Sequence, residues 1–283
     1  MTLRLGCIDY LNTLPVQYGI ETGVVPCAAR LVKGTPADLN ELFRQGQVDV
    51  APISSIQYAR LHREALVLPG LCVAAAGEVQ SILLFSRRPP PELGGGEVAL
   101  TTASATSVVL ARILLERYYR VAVRYRPARP ILPEMLERSE AALLIGDDAL
   151  RAAEEERQRG KLVITDLGEA WREWTGEAMV YALWAVQGEV AVRQPAELAA
   201  LVGALGRSLQ YGQSHREELV GYGAGRAGLP LPTVQRYFNT IGNELTPVLR
   251  RGLMTYFRWA LAVGELPDLP GLRFWVPREE MVG

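Results

Sequence analysis

Histidine is scarce in this chain of 283 residues, which contains only His62 and His215. Both stand among charged and polar neighbours that are typical of a helix surface. A Ser-His-Asp or Cys-His nucleophile and a histidine-based metal centre are therefore unattractive predictions. The three cysteines, Cys7, Cys27 and Cys72, have no CxxC or Cys/His spacing, so a structural metal is not expected either.

Phosphate loops, a charge excess and long apolar runs are also lacking. There is no GxGxxG or GxxxxGKS/T motif, and Gly94-Gly95-Gly96 precedes a predicted strand instead of following one. The net charge of −1 argues against a nucleic-acid partner. No stretch approaches about 20 apolar residues, so no membrane span or membrane partner is expected. Only six residues precede Cys7, too few for a signal peptide, and we expect a cytoplasmic protein.

Strand and helix patterns alternate along the first 190 residues, and the segment after Pro195 is almost wholly helical. Two strand-like stretches, Ser81–Phe85 and Tyr181–Val186, are interpreted as crossovers. The sequence therefore predicts a two-lobed α/β protein. Residues 1–86 and 185–283 form a discontinuous outer lobe with a helical C-terminal tail, and residues 87–184 form an inner lobe. A ligand cleft is expected between the lobes.

Polar turns follow several predicted strands. The apolar strand Leu3–Ile8 runs into a turn with Tyr10 and Asn12, at the end of a strand where open α/β sheets bind ligands. The hydroxyl-rich run 101–107 stands where a helix N-terminus offers free N–H groups to an anion. Ser54-Ser55 and Gly146-Asp147 repeat the arrangement. Together they predict a cleft for a polar, anionic small molecule, although ordinary helix capping is the alternative for each turn, including Asn12.

The motif Tyr10-Leu11-Asn12-Thr13-Leu14-Pro15 resembles the YLNxxP signature of the chorismate dehydratases of the futalosine pathway, which are menaquinone biosynthesis enzymes. Further matching segments follow in order and cover most of the first 190 residues. They are residues 34–40 (GTPADLN), 49–55 (DVAPISS), 79–86 (VQSILLFS), 101–107 with Leu110, and 146–150 (GDDAL). Asp9 departs from this pattern because a serine is expected there, and we assign it no role.

The resemblance implies a two-lobed periplasmic-binding-protein-like (type II) fold. It also implies a hydro-lyase that converts chorismate into 3-(1-carboxyvinyloxy)benzoate and water. Because the sequence has no nucleotide loop and no cluster of metal ligands, we expect neither a cofactor nor a metal. Asn12 and Ser81 are the expected catalytic contacts, and Ser104, Thr106 and Ser107 are expected to anchor a substrate carboxylate. The other expected substrate-binding residues are Tyr10, Ser54, Ser55, Gly146 and Asp147, of which Asp147 is placed near the substrate hydroxyl.

Two alternatives remain open at this point. The sister enzyme of the pathway, a cyclase that makes a dihydroxynaphthoate, shares the fold, but a CPND-like first turn and a useful histidine would be expected of it. A binding protein without catalysis is the second alternative, and export machinery would favour it. The sequence does not predict an oligomeric state.

Overall fold

The computed structural model describes residues 2–277, which form two β-sheets covered by helices. The six-stranded sheet belongs to the outer lobe and the five-stranded sheet to the inner lobe. In chain order the strands are β1 Arg4–Ile8, β2 Arg30–Gly34, β3 Val50–Ser54, β4 Ala65–Ala75, β5 Ile82–Ser86, β6 Glu97–Thr101, β7 Arg124–Ala128, β8 Ala141–Ile145, β9 Val163–Asp166, β10 Met179–Gln187 and β11 Ile241–Gly242.

The helices fill the connections between strands and make up most of the C-terminal part. The α-helices of the described chain are α1 Leu14–Glu21, α2 Pro36–Arg44, α3 Ser55–Leu61, α4 Thr106–Ile113, α5 Leu132–Leu136, α6 Gly146–Arg159, α7 Leu167–Thr175, α8 Gly188–Arg193, α9 Pro195–Ser214, α10 Arg216–Ala227, α11 Leu231–Thr240 and α12 Pro247–Ala262. Within residues 2–277, no helix is both long and apolar enough to cross a membrane.

The outer sheet has the order β11-β4-β10-β3-β1-β2. Strand β1 is parallel to β2 and β3, whereas β10 is antiparallel to β3 and β4. Parallel strands end at the same edge of a sheet, where α/β proteins bind ligands. The turn after Ile8 and the turn after Ser54 are consequently neighbours.

The inner sheet has the order β7-β6-β8-β5-β9. Strands β6 and β8 are parallel, so residues 102–107 and Gly146 follow them at one edge. Strand β5 is antiparallel to β8 and starts with Ile82 opposite Ile145, which brings Ser81 to that same edge. The polar turns predicted from the sequence thus converge within each lobe.

Two strands lie in a different sheet from the one that the predicted boundaries imply. Strand β5, placed before the boundary at 86/87, pairs with β8 and β9 in the inner sheet. Strand β10, placed mostly before the boundary at 184/185, pairs with β3 and β4 in the outer sheet. Both are almost uninterrupted buried apolar runs. Such a run predicts a strand but does not specify the sheet that it joins.

Helix α12 packs across both lobes, on β10 of the outer lobe and on α4 of the inner lobe. Its Tyr256 is fully buried and donates a hydrogen bond to the Thr106 carbonyl oxygen at 3.1 Å. The largest apolar cluster of the core is also shared between the lobes. The C-terminal helix therefore holds the start of α4 in place beside the outer lobe.

Candidate functional site

A small cavity of about 40 Å³ lies between the lobes, where the strand ends of both sheets meet. We call it the interlobe cavity. No carboxylate, imidazole or thiol belongs to the part of its wall that the structure describes. The polar side chains of that wall are Asn12, Ser54, Ser81, Ser104, Ser107, Tyr181 and Tyr237. The site therefore offers hydroxyl and amide hydrogen bonds on an otherwise apolar surface.

Six of the ten predicted site residues line the interlobe cavity, and four lie beside it. The lining residues are Asn12, Ser54, Ser81, Ser104, Ser107 and Gly146, and the four others are Tyr10, Ser55, Thr106 and Asp147. The four are occupied by contacts within the protein, which the next paragraphs give.

Asn12 lies in a short 3₁₀ turn, Leu11–Thr13, directly after β1. Its side-chain oxygen is buried and has no hydrogen-bond partner among the described residues. The capping positions at the start of the 3₁₀ turn and of α1 are Tyr10 and Thr13, so Asn12 caps neither. The capping alternative is therefore wrong for Asn12, and its amide is available to a ligand.

Ser54 and Ser55 are adjacent but face different partners. The Ser54 backbone N–H donates to Asn40 Oδ1 at 2.9 Å, and Asn40 Nδ2 donates to Ser54 Oγ at 3.1 Å. Asn40, on α2, thereby fixes the serine that lines the cavity, and the sequence had not singled it out. Ser55 Oγ donates to the Val180 carbonyl at 2.7 Å, which uses its proton away from the cavity. This arrangement does not support the prediction that Ser55 binds substrate, because the Ser55 hydroxyl joins α3 to β10.

The hydroxyl run before α4 divides in the same way. Ser104 Oγ donates to Ser107 Oγ at 3.0 Å and accepts from the Ser107 backbone N–H at 3.3 Å, and both serines line the cavity. Thr106 Oγ1 instead accepts from the Ile56 backbone N–H at 3.2 Å. Thr106 is thus turned toward α3, where it links the lobes. It was predicted to bind substrate, but it does not line the cavity.

Gly146 and Tyr10 meet across the two lobes. Gly146 has a φ of 61°, and a β-carbon there would come within 2.6 Å of the Tyr10 ring. Only glycine satisfies both the backbone conformation and this close approach. Tyr10 therefore packs on Gly146 across the lobes, and its side chain does not line the cavity.

Asp147 also joins the lobes. Its Oδ1 accepts from the Leu11 backbone N–H at 3.0 Å. Burial raises the pKa of the Asp147 carboxyl to about 6, although the Leu11 N–H and the positive charges of Arg151 and Arg226 favour the ionised form. Asp147 thus sits behind the cavity wall and holds the first turn of the outer lobe.

Two tyrosines on the cavity wall were missed in the sequence. Tyr237 comes from α11, in the helical tail, and its hydroxyl accepts from Ser81 Oγ at 3.0 Å. Tyr181 belongs to β10, and its hydroxyl is buried without a hydrogen-bond partner in the described part of the chain. Leaving such a group unpaired costs about 1–3 kcal/mol. Tyr237 carried no local signal, and Tyr181 was indistinguishable from an ordinary core residue of a strand.

Asp9, the departure from the expected serine, is paired outside the cavity. Its Oδ1 accepts from Arg226 Nη2 at 3.1 Å, and the same guanidinium bonds Glu21 at 2.8 Å. The extra carboxylate is therefore turned to α10 and partly neutralised. It adds no carboxylate to the described cavity wall.

The interlobe cavity is small for a ligand-binding cleft. Sites for small ligands usually measure roughly 300–1,000 Å³, whereas 40 Å³ holds little more than one water molecule. A ring-bearing ligand therefore requires the cavity to enlarge. A larger depression of about 830 Å³ lies on the surface between residues 26–29 and α9, but none of the predicted site residues reaches it. We therefore assign the site to the interlobe cavity.

Metal-binding groups were not expected from the sequence. Residues 2–277 contain no group of three or more His, Cys, Asp or Glu side chains placed to hold a metal ion. The three cysteines are free thiols, of which Cys7 and Cys72 are buried.

Solved structures of other proteins share this architecture. A protein from Archaeoglobus fulgidus matches with a TM-score of 0.77 at 18% identity, covering 94% of this chain and 98% of that one. The periplasmic aliphatic sulphonate binding protein SsuA from Escherichia coli matches with a TM-score of 0.66 at 12% identity, covering 98% and 92%. At these identities the likeness concerns the fold alone, and the predicted periplasmic-binding-protein-like fold is confirmed.

Sequence comparison identifies the family. The chorismate dehydratase of Thermus thermophilus is 31% identical over 279 residues, which cover 94% of this chain and 96% of that enzyme. The family described as "Menaquinone biosynthesis" matches residues 3–262. This chain belongs to the menaquinone biosynthesis family.

Proposed function

We propose that this protein is a chorismate dehydratase, which forms 3-(1-carboxyvinyloxy)benzoate and water in the futalosine pathway of menaquinone biosynthesis. The observation that carries the proposal is the match to the Thermus thermophilus chorismate dehydratase over nearly the full length of both chains. The polar, carboxylate-free wall of the interlobe cavity supports it, because the substrate is a dianion. As a biosynthetic enzyme of a cytoplasmic metabolite, the protein is placed in the cytoplasm.

The proposed reaction is a carbon–oxygen lyase reaction in which most of the driving force comes from the substrate. The proton on ring carbon 3 of chorismate is acidified through the conjugated ring carboxylate, and the hydroxyl on carbon 4 leaves as water. Formation of an aromatic ring drives the elimination. The protein contributes orientation of the substrate and stabilisation of the charge that develops on the conjugated system.

The cavity divides into an anchoring part and a reacting part in this proposal. Ser104 and Ser107, at the start of α4, bind a substrate carboxylate with the support of the positive end of the helix dipole. Asn12 and Ser81 contact the reacting ring from opposite lobes. Tyr10 and Asp147 act from behind the wall, where they hold the closed arrangement of the first turn.

No side chain on the described cavity wall is a strong base. We assign the proton acceptor to the substrate itself, whose enolpyruvyl carboxylate takes the proton from carbon 3. The wall consists of hydroxyl, amide and apolar groups, which are poor ligands for most metal ions. The proposed reaction accordingly uses neither a metal nor an organic cofactor. Closure of the lobes excludes water around the developing charge.

The test is incubation of the pure protein with chorismate alone, followed by mass spectrometry. The proposal expects a product lighter than chorismate by one water, with the absorbance of a substituted benzoate. Formation of a dihydroxynaphthoate from the later pathway substrate would identify the sister cyclase. Tight chorismate binding without conversion would identify a binding protein. Either result would overturn the proposal.

A further inference from the structure

Tyr181 differs from three other buried tyrosines, Tyr58, Tyr237 and Tyr256, in how its hydroxyl is used. Tyr58 accepts from the Arg273 backbone N–H at 2.8 Å and donates to the Gly271 carbonyl at 3.1 Å. Tyr256 donates to a carbonyl of α4, and Tyr237 pairs with Ser81. The Tyr181 hydroxyl is buried on the wall of the interlobe cavity, yet within residues 2–277 it has no hydrogen-bond partner.

A β-bulge places this side chain. Along the pairing of β10 with β4, Val180 lies opposite Ala74 and Ala182 lies opposite Val73, so Tyr181 is the extra residue between them. A bulge redirects a side chain out of the regular alternation of a strand, and bulges are frequent next to active sites. The bulge thus lies beside the interlobe cavity, and its extra residue, Tyr181, belongs to the cavity wall.

The carboxylate of Asp166, whose charge acts on Tyr181, already accepts several backbone hydrogen bonds. Asp166 accepts from the backbone N–H groups of Gln80, Gly168, Val79 and Glu169 at 2.6–3.1 Å. These bonds tie the first chain crossing between the lobes, which contains Val79 and Gln80, to the start of α7. A β-carbon on Gly168 would come within 2.7 Å of the Tyr181 hydroxyl, so the glycine leaves room for this side chain. The hydroxyl is therefore close to Asp166 but is not bonded to it.

From the bulge, the burial and the unpartnered hydroxyl we infer that Tyr181 is a further catalytic residue, which donates a hydrogen bond to the oxygen that leaves from ring carbon 4. This inference rests on the proposed function. A neutral substrate hydroxyl suits this end of the cavity better than a substrate carboxylate, because the Asp166 charge lies behind Tyr181. Burial and Asp166 also raise the pKa of the Tyr181 hydroxyl well above its usual value, so it remains a donor.

The step balances without a further reactant. The proton of carbon 3 passes to the enolpyruvyl carboxylate of the substrate, and the bond between carbon 4 and its oxygen breaks with the electron pair going to the oxygen. The same proton then completes the departing water. Tyr181 keeps its own proton throughout, and its hydrogen bond strengthens as negative charge grows on the leaving oxygen.

The test compares Tyr181→Phe with Tyr58→Phe, a matched loss of a buried hydroxyl that is not on the cavity wall and is bonded to the Gly271 and Arg273 backbone. For Tyr181→Phe we expect kcat to fall by about 100-fold, as for one donor to a developing negative charge. Its melting temperature should stay equal or rise, since no hydrogen bond is lost. Tyr58→Phe should lower the melting temperature and leave kcat unchanged.

Binding of the dehydrated product, measured as competitive inhibition, locates the contact. The product lacks the oxygen on carbon 4, so Tyr181→Phe should bind it as tightly as the wild type. Weaker binding of the product in proportion to the loss of kcat/KM would overturn the inference by placing the hydroxyl on a carboxylate. A kcat within threefold of an active wild type would also overturn it. An inactive wild type would instead refute the proposed function on which the inference rests.

Discussion

On the inner wall of the cavity the Ser104 and Ser107 hydroxyls bond to each other, whereas on the outer wall the Asn12 oxygen and the Tyr181 hydroxyl have no partner in the described structure. Ser54 and Ser81 are also paired, with Asn40 and Tyr237, so the unpaired polar groups of the described cavity wall are Asn12 and Tyr181, both from the outer lobe. A paired, preformed set suits an anchor that binds substrate and transition state alike. Unpaired buried groups suit contacts that are completed only when the reacting ring is in place.

The difference between paired and unpaired polar groups affects both stability and binding energy. An unpaired buried polar group lowers stability by about 1–3 kcal/mol, and a ligand that supplies the missing partner recovers that amount. The unpaired groups of Asn12 and Tyr181 can therefore contribute this interaction energy to a bound ring, whereas Ser104 and Ser107 are already paired. The following predictions test that division, in order of decreasing effect.

Asn12→Ala should remove an outer-wall contact that matters in the transition state. We expect kcat to fall by about 100-fold, which corresponds to ~2.7 kcal/mol, with little change in the affinity for chorismate. The melting temperature should hold, because the side chain caps no helix. Steady-state kinetics and thermal unfolding on one preparation check this. Asn239→Ala, on the exposed face of α11, is the control. Unchanged turnover would remove Asn12 from the reacting end.

Ser104→Ala should weaken the inner-wall anchor. We expect KM to rise by about 10-fold, or ~1.4 kcal/mol, with kcat nearly unchanged, because a carboxylate anchor serves both states. Thr106→Val is the matched control. It removes the acceptor of the Ile56 N–H and should lower the melting temperature while leaving KM alone. A rise in KM for Thr106→Val as large as that for Ser104→Ala would contradict the division of the hydroxyl run.

Asp147→Asn should change the pH dependence of stability. The pKa of Asp147 is raised to about 6 from an ordinary 3.8, so the folded state binds a proton that the unfolded state has lost between these values. Its contribution to the free energy of unfolding therefore falls as pH rises from about 4 to about 6, and stays low above that.

The asparagine variant carries no charge and its carbonyl still accepts from Leu11. We expect it to be more stable than the wild type at pH 7 by the order of 1 kcal/mol, or about 2–4 °C, and equally stable below pH 4. Thermal unfolding between pH 3.5 and 8 measures this. A lower melting temperature of the variant at pH 7 would mean that the ionised carboxylate is the stabilising form.

The last prediction is that exhaustive treatment with EDTA leaves turnover unchanged. The reason is the donor set of the described wall, which lacks carboxylate, imidazole and thiol groups. The activity of the treated protein, before and after addition of Mg²⁺ or Zn²⁺, is the measurement. Lost activity that a divalent ion restores would place a metal in the mechanism.

The sequence predicted the parts of the site that lie at strand ends. The turn with Asn12 follows β1 of the outer sheet, and the run with Ser104 and Ser107 follows β6 of the inner sheet. Within each sheet, parallel strands bring such turns to one edge. Within those runs it did not separate cavity-lining hydroxyls from structural ones. Ser55 and Thr106 carry hydroxyls and have the same sequence neighbours as the cavity-lining serines beside them. Only their hydrogen bonds to β10 and α3 distinguish them from those serines.

The rest of the site depends on contacts between distant segments. Tyr237 reaches Ser81 across 156 positions of the chain, and no local pattern reports such an approach. Tyr181 lies on the wall only because β10 pairs within the outer sheet beside the cavity, and its bulge appears only in the pairing of β10 with β4. The sheet membership of β5 and β10 was misassigned for the same reason, since pairing partners are a property of the assembled fold.

The most direct test of the division between the walls is equilibrium binding of the dehydrated product to the wild type, Asn12→Ala and Ser104→Ala. The product keeps both carboxylates but has no reaction left to undergo. The account predicts that Ser104→Ala weakens product binding about as much as it raises KM, while Asn12→Ala binds the product like the wild type. Product binding lost in Asn12→Ala and kept in Ser104→Ala would contradict it.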